Sequence, residues 1–318
     1  MRVVLLAADQ SLMTSLMSLL ETRGHDVVGF AEVNQALAHL ETHMEANAFI
    51  IVEAPIKTPG PEICWEARLL ASFERPIYIC LISRPLSSQA FIEALDCGAD
   101  DVLQMPLSSD ELYARLRAAD RVNQIQLKLF EMATHDGLTG LLNRPAFFHR
   151  ATKRCDEAKA PLAAIMIDID HFKVVNDTYG HAGGDKAIRA VAECLRSQSD
   201  MAGRLGGEEF ALLLDHGDAG QAWSAAEALR REIASREIII DGAELRLSCS
   251  FGVAVGETGE DIDAILRKAD AALYAAKHSG RNIVALHDPE KAPLPPALNS
   301  IIRGAVQPAA VRRRRVAS

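Results

Sequence analysis

Residues 204–210 read RLGGEEF, and a short apolar run follows them to residue 214. Glycine adopts positive φ without steric cost, so the pair Gly206-Gly207 predicts a two-residue hairpin turn between two strands. Glu208 and Glu209 then place two carboxylates at the start of a buried strand. Such a pair is costly unless a cation or a hydrogen-bond donor faces it. The stretch therefore predicts one half of a metal site.

A strand that carries acids would supply the other half. Residues 162–173 read LAAIMIDIDHFK. Side chains alternate along a strand, so the isoleucines at 165, 167 and 169 are expected to face the core, while Asp168 and Asp170 point out of it. If this strand lies beside the hairpin, Asp168 and Glu208 can together hold hard divalent cations through oxygen, as magnesium prefers.

Four motifs follow one another in the second half of the chain. They are DGLTGLLNR at 136–144, DIDHFKVVNDTYGHAGGD at 168–185, RLGGEEF at 204–210 and AKHSGRN at 276–282. Together, over about residues 134–287, they resemble the GGDEF family of diguanylate cyclases. Within this range the apolar pattern predicts helices at about 182–198, 219–235 and 261–278, and Asp241-Gly242 is a further hairpin signal. The resemblance implies a palm-like α+β domain with a mainly antiparallel sheet. It also implies that two GTP molecules are joined into cyclic di-GMP across a homodimer.

The resemblance also assigns roles to the acids. Asp168, the main-chain carbonyl of Ile169 and Glu208 match the family's metal ligands, for two Mg²⁺ or Mn²⁺ ions per active site. Glu208 and Glu209 are the expected catalytic pair, with Glu208 helping to deprotonate the attacking hydroxyl. Arg204 either orients Glu208 or stays solvated.

Substrate contacts are carried over in the same way. Asn176 and Asp185 match the guanine-binding positions, and amide and carboxylate groups can answer the donors and acceptors of guanine. His181 falls where a substrate contact is expected, although it could instead cap the following helix.

Phosphate contacts are expected from the backbone amides of Phe172 and Lys173. Lys277 and Arg281 lie four residues apart near a helix end, which would put both cations on one side as a triphosphate site. Ordinary helix-end charges would look the same, and the match to the family phrase favours triphosphate binding. Ser197 stands where product-inhibited members have arginine, so weak or absent product inhibition is expected despite Asp200.

Short apolar runs alternate with helical patterns over the first 120 residues. The strand candidates are Val3–Leu6, Val27–Phe30, Phe49–Val52, Ile77–Ile82 and Asp101–Leu103. Five βα units predict an α/β fold, a doubly wound five-stranded parallel sheet. With CGADDVL at 97–103 and MPLSSDEL at 105–112, this half resembles a response-regulator receiver domain.

Phosphoryl acceptance in receivers requires an acidic pair, an aspartate, a hydroxyl and a lysine. The matching positions here are Ala7-Ala8 (with Asp9 just beyond), Glu53, Ser83 and Met105. Without the acidic pair and the lysine, little would hold magnesium or answer phosphoryl charge. We therefore expect a pseudo-receiver. Glu53 could imitate the phosphorylated state, but the missing lysine favours an interaction and dimerisation module that receives a protein partner.

Residues 109–133 have a helical apolar pattern. This helix either packs on its own domain or pairs two protomers as a coiled coil, and the second alternative is slightly favoured. The predicted organisation is therefore a receiver-like domain at 1–120, a helical linker at 121–133, a catalytic domain at 134–287 and a disordered tail at 288–318, which ends in a cluster of four arginines without assigned function.

Composition narrows the remaining possibilities. The net charge of −9 and the absence of a recognition helix argue against DNA binding. The six cysteines form no CxxC pair, and no apolar run is long enough for a membrane span. A cytoplasmic protein is expected. The competing hypothesis to a cyclase is an inactive nucleotide-sensing scaffold.

Overall fold

The computed structural model describes residues 1–43, 47–52, 59–215, 217–240 and 243–288. The chain divides into two compact units, Met1–Glu131 and Met132–Ser318. Each unit has its own sheet and its own hydrophobic core. In these ranges no helix is both long and apolar enough to cross a bilayer.

The first unit is a doubly wound α/β structure. Its sheet has five parallel strands in the order β2-β1-β3-β4-β5, which confirms the predicted fold class and all five predicted strands. Its elements are β1 (Arg2–Ala7), α1 (Gln10–Thr22), β2 (Asp26–Phe30), α2 (Val33–Thr42), β3 (Ala48–Val52), α3 (Gly60–Leu70), β4 (Tyr78–Ser83), α4 (Ser88–Asp96), β5 (Asp101–Gln104) and α5 (Ser109–Thr134).

Helices cover both faces of this sheet, which is why its strands are continuous apolar runs rather than alternating ones. Along β1, Val3 and Leu5 belong to one core cluster, and Val4 and Leu6 belong to another. Helix α5 is continuous up to Thr134, as the pattern over 109–133 predicts.

The carboxyl ends of these strands carry the positions at which receivers bind phosphate. Ala7 is fully buried at the end of β1, and the Asp9 carboxylate caps α1 by accepting from the amides of Ser11 and Leu12 at 2.9 and 3.0 Å. Ser83 is buried and donates to its neighbour's carbonyl. Glu53 lies outside the described residues.

The second unit is an α+β structure around a six-stranded sheet of order β13-β12-β7-β9-β8-β6. Its central pairs are antiparallel, and its edge pairs β12–β13 and β6–β8 are parallel. The elements are β6 (Leu142–Asn143), α6 (Arg144–Glu157), β7 (Ala163–Ile169), α7 (Phe172–Arg196), β8 (Ala202–Arg204), β9 (Glu209–Leu214), α8 (Ala219–Ser235), β10 (Ile238–Ile240), β11 (Ala243–Leu245), β12 (Cys249–Val255), α9 (Ile262–His278) and β13 (Val284–Leu286).

Strand β7 alternates as predicted, with its three isoleucines in one core cluster and Met166 in the other. Helix α9 covers this second face. It lies so close to β12 that a Cβ on Gly252 would be 2.1 Å from the Ala269 carbonyl oxygen. The expectation that Asp168 and Asp170 point out of the core is therefore wrong. Both are buried, at 7 % and 6 % exposure.

Two local predictions also differ from the structure. The turn between β8 and β9 spans residues 205–208, and neither Gly206 nor Gly207 has positive φ, so the two-residue turn is wrong. Helix α7 begins at Phe172, well before the predicted start at residue 182, and breaks at Gly180 with φ 68° and ψ 173°. The strands on either side of the predicted hairpin at 241–242 occur as the antiparallel pair β10–β11, while residues 241–242 and the tail beyond Asp288 lie outside the described residues.

Candidate active site

Three acids meet where β7 ends. The antiparallel pairing of β7 with β9 makes Asp168 the register partner of Glu209. One residue further, the Ile169 amide donates to the Glu208 carbonyl at 3.3 Å. The sheet therefore brings the acidic strand and the acidic turn together, although each lies in a separate motif.

Lysine 277, on the last turn of α9, faces these acids. The Lys277 Nζ atom lies 2.8 Å from Asp168 Oδ2. The close approach of α9 at Gly252 makes this contact possible. Burial raises the pKa of Asp168 to about 6, and the charges of Glu208 and Glu209 also raise it, while the hydrogen bond and charge of Lys277 act in the opposite direction.

The donor set suits a hard cation. The expected ligands are the carboxylates of Asp168 and Glu208 and the carbonyl of Ile169, all oxygen atoms. No cluster of three or more His, Cys, Asp or Glu side chains with metal-binding geometry occurs in the described part of the chain, and this set needs only two such side chains. A divalent ion would neutralise the excess negative charge around Asp168, so these residues fit a divalent metal ion.

Arginine 204 holds the acidic turn. Its guanidinium donates to the carbonyls of Gly206 and Gly207 at 3.1 and 2.7 Å. It also donates to Asp136 Oδ1 at 3.0 Å and is largely buried, so the alternative of a solvated Arg204 is wrong. Burial alone would raise the pKa of Asp136, but hydrogen bonds from Thr139 and Arg204 outweigh it and lower that pKa. The sequence analysis did not assign Asp136 as the partner of Arg204, although Asp136 is the first residue of the DGLTGLLNR motif.

The start of α7 offers donors beside the acids. His171 has a left-handed backbone (φ 54°), and the helix begins directly after it. Phe172 and Lys173 are its first two residues, so their amides have no acceptor within the helix. Their position immediately after β7 places these amides at the same end of the sheet as Asp168.

The two guanine-binding candidates lie on α7, on either side of its break. Asn176 and Asp185 are both half-buried, and His181 is exposed directly after Gly180. Gly184 makes this arrangement possible, because a Cβ there would lie 2.0 Å from Asn176 Oδ1.

Arginine 281 lies beyond the end of α9. The helix ends at His278, and Arg281 follows in a turn with φ 61°. Its side chain is exposed. The helical spacing that was expected to put Lys277 and Arg281 on one side therefore does not apply, since a turn places the arginine.

Sequence reasoning also missed Asp170. Its carboxylate accepts from Ser248 Oγ at 2.7 Å, from Ser250 Oγ at 2.6 Å and from the Asn282 amide at 2.9 Å. The available signals were its alternation with Asp168 and the presence of Asn282 in the phrase AKHSGRN.

The position tied to product inhibition lies at the end of α7. Ser197 is the residue that caps α7, and its hydroxyl donates to the Cys194 carbonyl at 2.8 Å. Arg196 donates to the Thr139 carbonyl, in the motif that opens the second unit. Arg196 is thus used elsewhere, and weak product inhibition stays a prediction.

Comparison with known proteins places the second unit in a family. The sequence profile described as "Diguanylate cyclase, GGDEF domain" matches residues 133–283. The solved coiled coil and GGDEF domain of DgcB from Caulobacter crescentus, in complex with c-di-GMP, is 33 % identical with a TM-score of 0.51, and the match covers 97 % of that chain and 56 % of this one. The chain belongs to the GGDEF family.

Curated relatives extend this result. Diguanylate cyclase A of Treponema denticola is 39 % identical over 179 residues, which is 53 % of this chain and 48 % of that protein. Response regulator PleD of Caulobacter vibrioides is 33 % identical over 214 residues, which is 61 % of this chain and 46 % of that protein. This GGDEF protein thus spans about half the length of the curated relatives it matches.

Proposed function

We propose that the chain is a diguanylate cyclase, which condenses two GTP molecules into cyclic di-GMP and pyrophosphate. The observation that carries the proposal is the meeting of Asp168, Glu208 and Glu209 at the end of β7, opposite Lys277. A buried aspartate beside two half-buried glutamates, with one opposing lysine, is the environment that a metal-bound triphosphate requires.

Each half-reaction is a phosphoryl transfer. The 3′-oxygen of one GTP forms a bond to the α-phosphorus of the other, the bond from that phosphorus to the bridging oxygen breaks, and pyrophosphate leaves. Glu208 takes the proton of the attacking hydroxyl, and Glu209 lies beside it. Two such transfers close the ring. Positioning and charge neutralisation supply most of the catalysis in this class of reaction.

Asp168, the carbonyl of Ile169 and Glu208 would hold two divalent cations, Mg²⁺ or Mn²⁺. Such ions, when bound, neutralise triphosphate charge and favour ionisation of the attacking hydroxyl. Lys277 and Arg281 bind the triphosphate, and the amides of Phe172 and Lys173 donate to phosphate oxygens.

Asn176 and Asp185 select guanine. The Asp185 carboxylate accepts from the N1–H and the exocyclic amine, and the Asn176 amide can donate to O6. His181, exposed beside them, contacts the bound nucleotide.

The active unit is a homodimer, because each protomer binds one GTP and the two reacting ends meet across a two-fold axis. The parallel sheet of order 2-1-3-4-5 and the relative PleD support a receiver-like first domain at 1–120, joined through 121–133 to the catalytic domain at 134–287. This domain sets dimer geometry or receives a protein partner in the cytoplasm, and it is not phosphorylated.

Incubation of the purified protein with GTP and Mg²⁺, followed by chromatography of the products, tests the proposal. Cyclic di-GMP is expected from the wild type, with a loss of about 100-fold or more in Glu208→Gln. If both proteins are inert while they still bind GTP, the nucleotide-sensing scaffold replaces the cyclase. Incubation with a small-molecule phosphate donor is expected to leave the first unit unlabelled, and stoichiometric labelling would contradict the pseudo-receiver assignment.

A further inference from the structure

The turn after α9 has an unusual backbone. Gly280, Arg281 and Asn282 have positive φ in succession, at 117°, 61° and 49°. Among the described residues other than glycine, His171 alone shares this property, and it lies at the end of β7. Residues with a side chain disfavour positive φ for steric reasons. They adopt it where surrounding contacts impose it, often at functional sites.

The first such contact comes from the sheet. Asp170 Oδ2 accepts from the Asn282 amide at 2.9 Å. The same carboxylate is held by the hydroxyls of Ser248 and Ser250, and both Asp170 and Ser250 are buried. The two hydroxyls therefore fix the position of the Asp170 carboxylate, which in turn holds the backbone of Asn282.

The second contact comes from α8. Arg230 Nη1 donates to Asn282 Oδ1 at 2.8 Å. The other nitrogens of this guanidinium form a two-point contact with Glu227, at 2.8 Å each. Arg231 also binds Glu227, at 2.7 Å, and has no described contact with Asn282. Asn282 is thus held through its main chain on one side and through its side chain on the other.

The arginine beside Asn282 is left available. The Arg281 side chain is exposed, and within the described residues it forms no hydrogen bond or ion pair. We propose that Asp170 and Arg230 are positioning residues, which hold Asn282 and thereby place the Arg281 guanidinium for the triphosphate of GTP. This inference rests on the proposed function. The competing explanation is that both contacts only keep β13, which begins at Val284, on the sheet.

A matched pair of variants separates these explanations. Arg230→Met and Arg231→Met each remove one cation from Glu227, but only Arg230→Met also removes the bond to Asn282. Arg230→Met is expected to raise KM for GTP about tenfold, with kcat within about twofold, because ground-state placement of the triphosphate is what it disturbs. Arg231→Met is expected to leave both parameters unchanged.

Binding of unreactive nucleotides gives a second readout. 3′-Deoxy-GTP has no attacking hydroxyl, so its affinity, measured by calorimetry, reports binding without turnover. Arg230→Met is expected to weaken it about tenfold but to leave the affinity for GMP, measured by competition, unchanged, because GMP lacks the phosphates that Arg281 would contact. Equal weakening of both nucleotides, or a drop in melting temperature without a binding difference, would support the structural explanation and overturn the proposal.

Substitutions at Asn282 and Asp170 complete the test. Asn282→Gly tolerates positive φ but loses the Arg230 bond, so it should match Arg230→Met, and the double variant should be no worse than either. Asn282→Asp retains an oxygen acceptor and should behave as wild type. If the Asp170→Asn variant folds, its affinity for 3′-deoxy-GTP should be lower than that of the wild type. If the wild type makes no cyclic di-GMP but the difference between the arginine variants persists in 3′-deoxy-GTP binding, the proposed function fails while the positioning role stands.

Discussion

The metal-binding role proposed for Asp168 requires an ionised carboxylate, yet the fold disfavours its charge. Its pKa of about 6 lies above the ordinary aspartate value of 3.8, mainly because the side chain is buried. A raised pKa in the folded state means that the associated stability is fully present below pH 3.8 and is lost as the pH rises through about 6. At pH 7.5 the ionised carboxylate therefore lowers the free energy of unfolding by about 1–3 kcal/mol.

The first prediction follows from that cost. In EDTA at pH 7.5, Asp168→Asn should increase the free energy of unfolding by about 1–3 kcal/mol, because the amide carries no charge. The gain should shrink towards pH 4, and activity should be lost at every pH. Urea denaturation at the two pH values measures this, with Asp200→Asn at an exposed loop as the control. A less stable Asp168→Asn at pH 7.5 would contradict the assigned burial cost.

Arginine 204 gives the second prediction. Arg204→Lys keeps the charge but loses the planar group that contacts Gly206, Gly207 and Asp136 together. The acidic turn should then lose its fixed position, and kcat/KM should fall about 10- to 100-fold. Steady-state kinetics with GTP measures the effect.

Arg154→Lys is the matched control, since Arg154 forms a two-point contact with Asp215 on the exposed surface. Surface pairs of this kind contribute about 0–1 kcal/mol, so this variant should keep full activity. Equal activities of the Arg204 and Arg154 variants would show that the fixed position of the turn is not required.

At the scale of elements, sequence periodicity predicts most of the fold because it records which face of each helix or strand is buried. The predicted helix at 219–235 coincides with α8, and all five strands of the first sheet occur where expected. Helix α7 was placed too late, because GHAGG at 180–184 looks like a helix start when its break at Gly180 is unknown.

The candidate acids were also visible locally, but their partners were not. Arg204 bonds Asp136 across 68 residues, and Asp170 bonds Asn282 across 112. Contacts over such separations depend on strand order and on how closely α9 lies on the sheet. The spacing of apolar residues in the sequence records neither the strand order nor the distance of α9 from the sheet.

The third prediction concerns the contact between α9 and β12. A Cβ on Gly252 would lie 2.1 Å from the Ala269 carbonyl oxygen and 2.2 Å from the Leu273 amide nitrogen, and backbone atoms cannot move aside singly. Gly252→Ala should displace α9, lower the free energy of unfolding by about 3 kcal/mol and move Lys277 away from Asp168. Thermal denaturation and GTP binding measure the two effects.

Gly137→Ala is the control, because a Cβ there meets no atom within 4 Å. If Gly252→Ala retains wild-type stability and GTP affinity, the close approach of α9 does not determine the position of Lys277.

At the scale of the whole molecule, an exposed apolar stripe on α5 remains without a partner in the described part of the chain. Val122, Ile125 and Leu129 are 61 %, 60 % and 60 % exposed. Their spacing of three and four residues is that of the a and d positions of a coiled coil. We infer that a second copy of the same helix is the partner of this stripe, in keeping with the homodimer proposed for the condensation of two GTP molecules.

The last prediction is that this stripe holds the active dimer together. Ile125→Glu with Leu129→Glu places like charges at facing positions, so the protein should become monomeric in analytical ultracentrifugation and its specific activity should fall at least about 100-fold. GTP affinity per protomer should stay unchanged, because each site binds its own nucleotide. Gln124→Glu, an exposed position outside the stripe on the same helix, should remain dimeric and active. A charged double variant that stays dimeric, or a monomer with full activity, would place the dimer contact elsewhere.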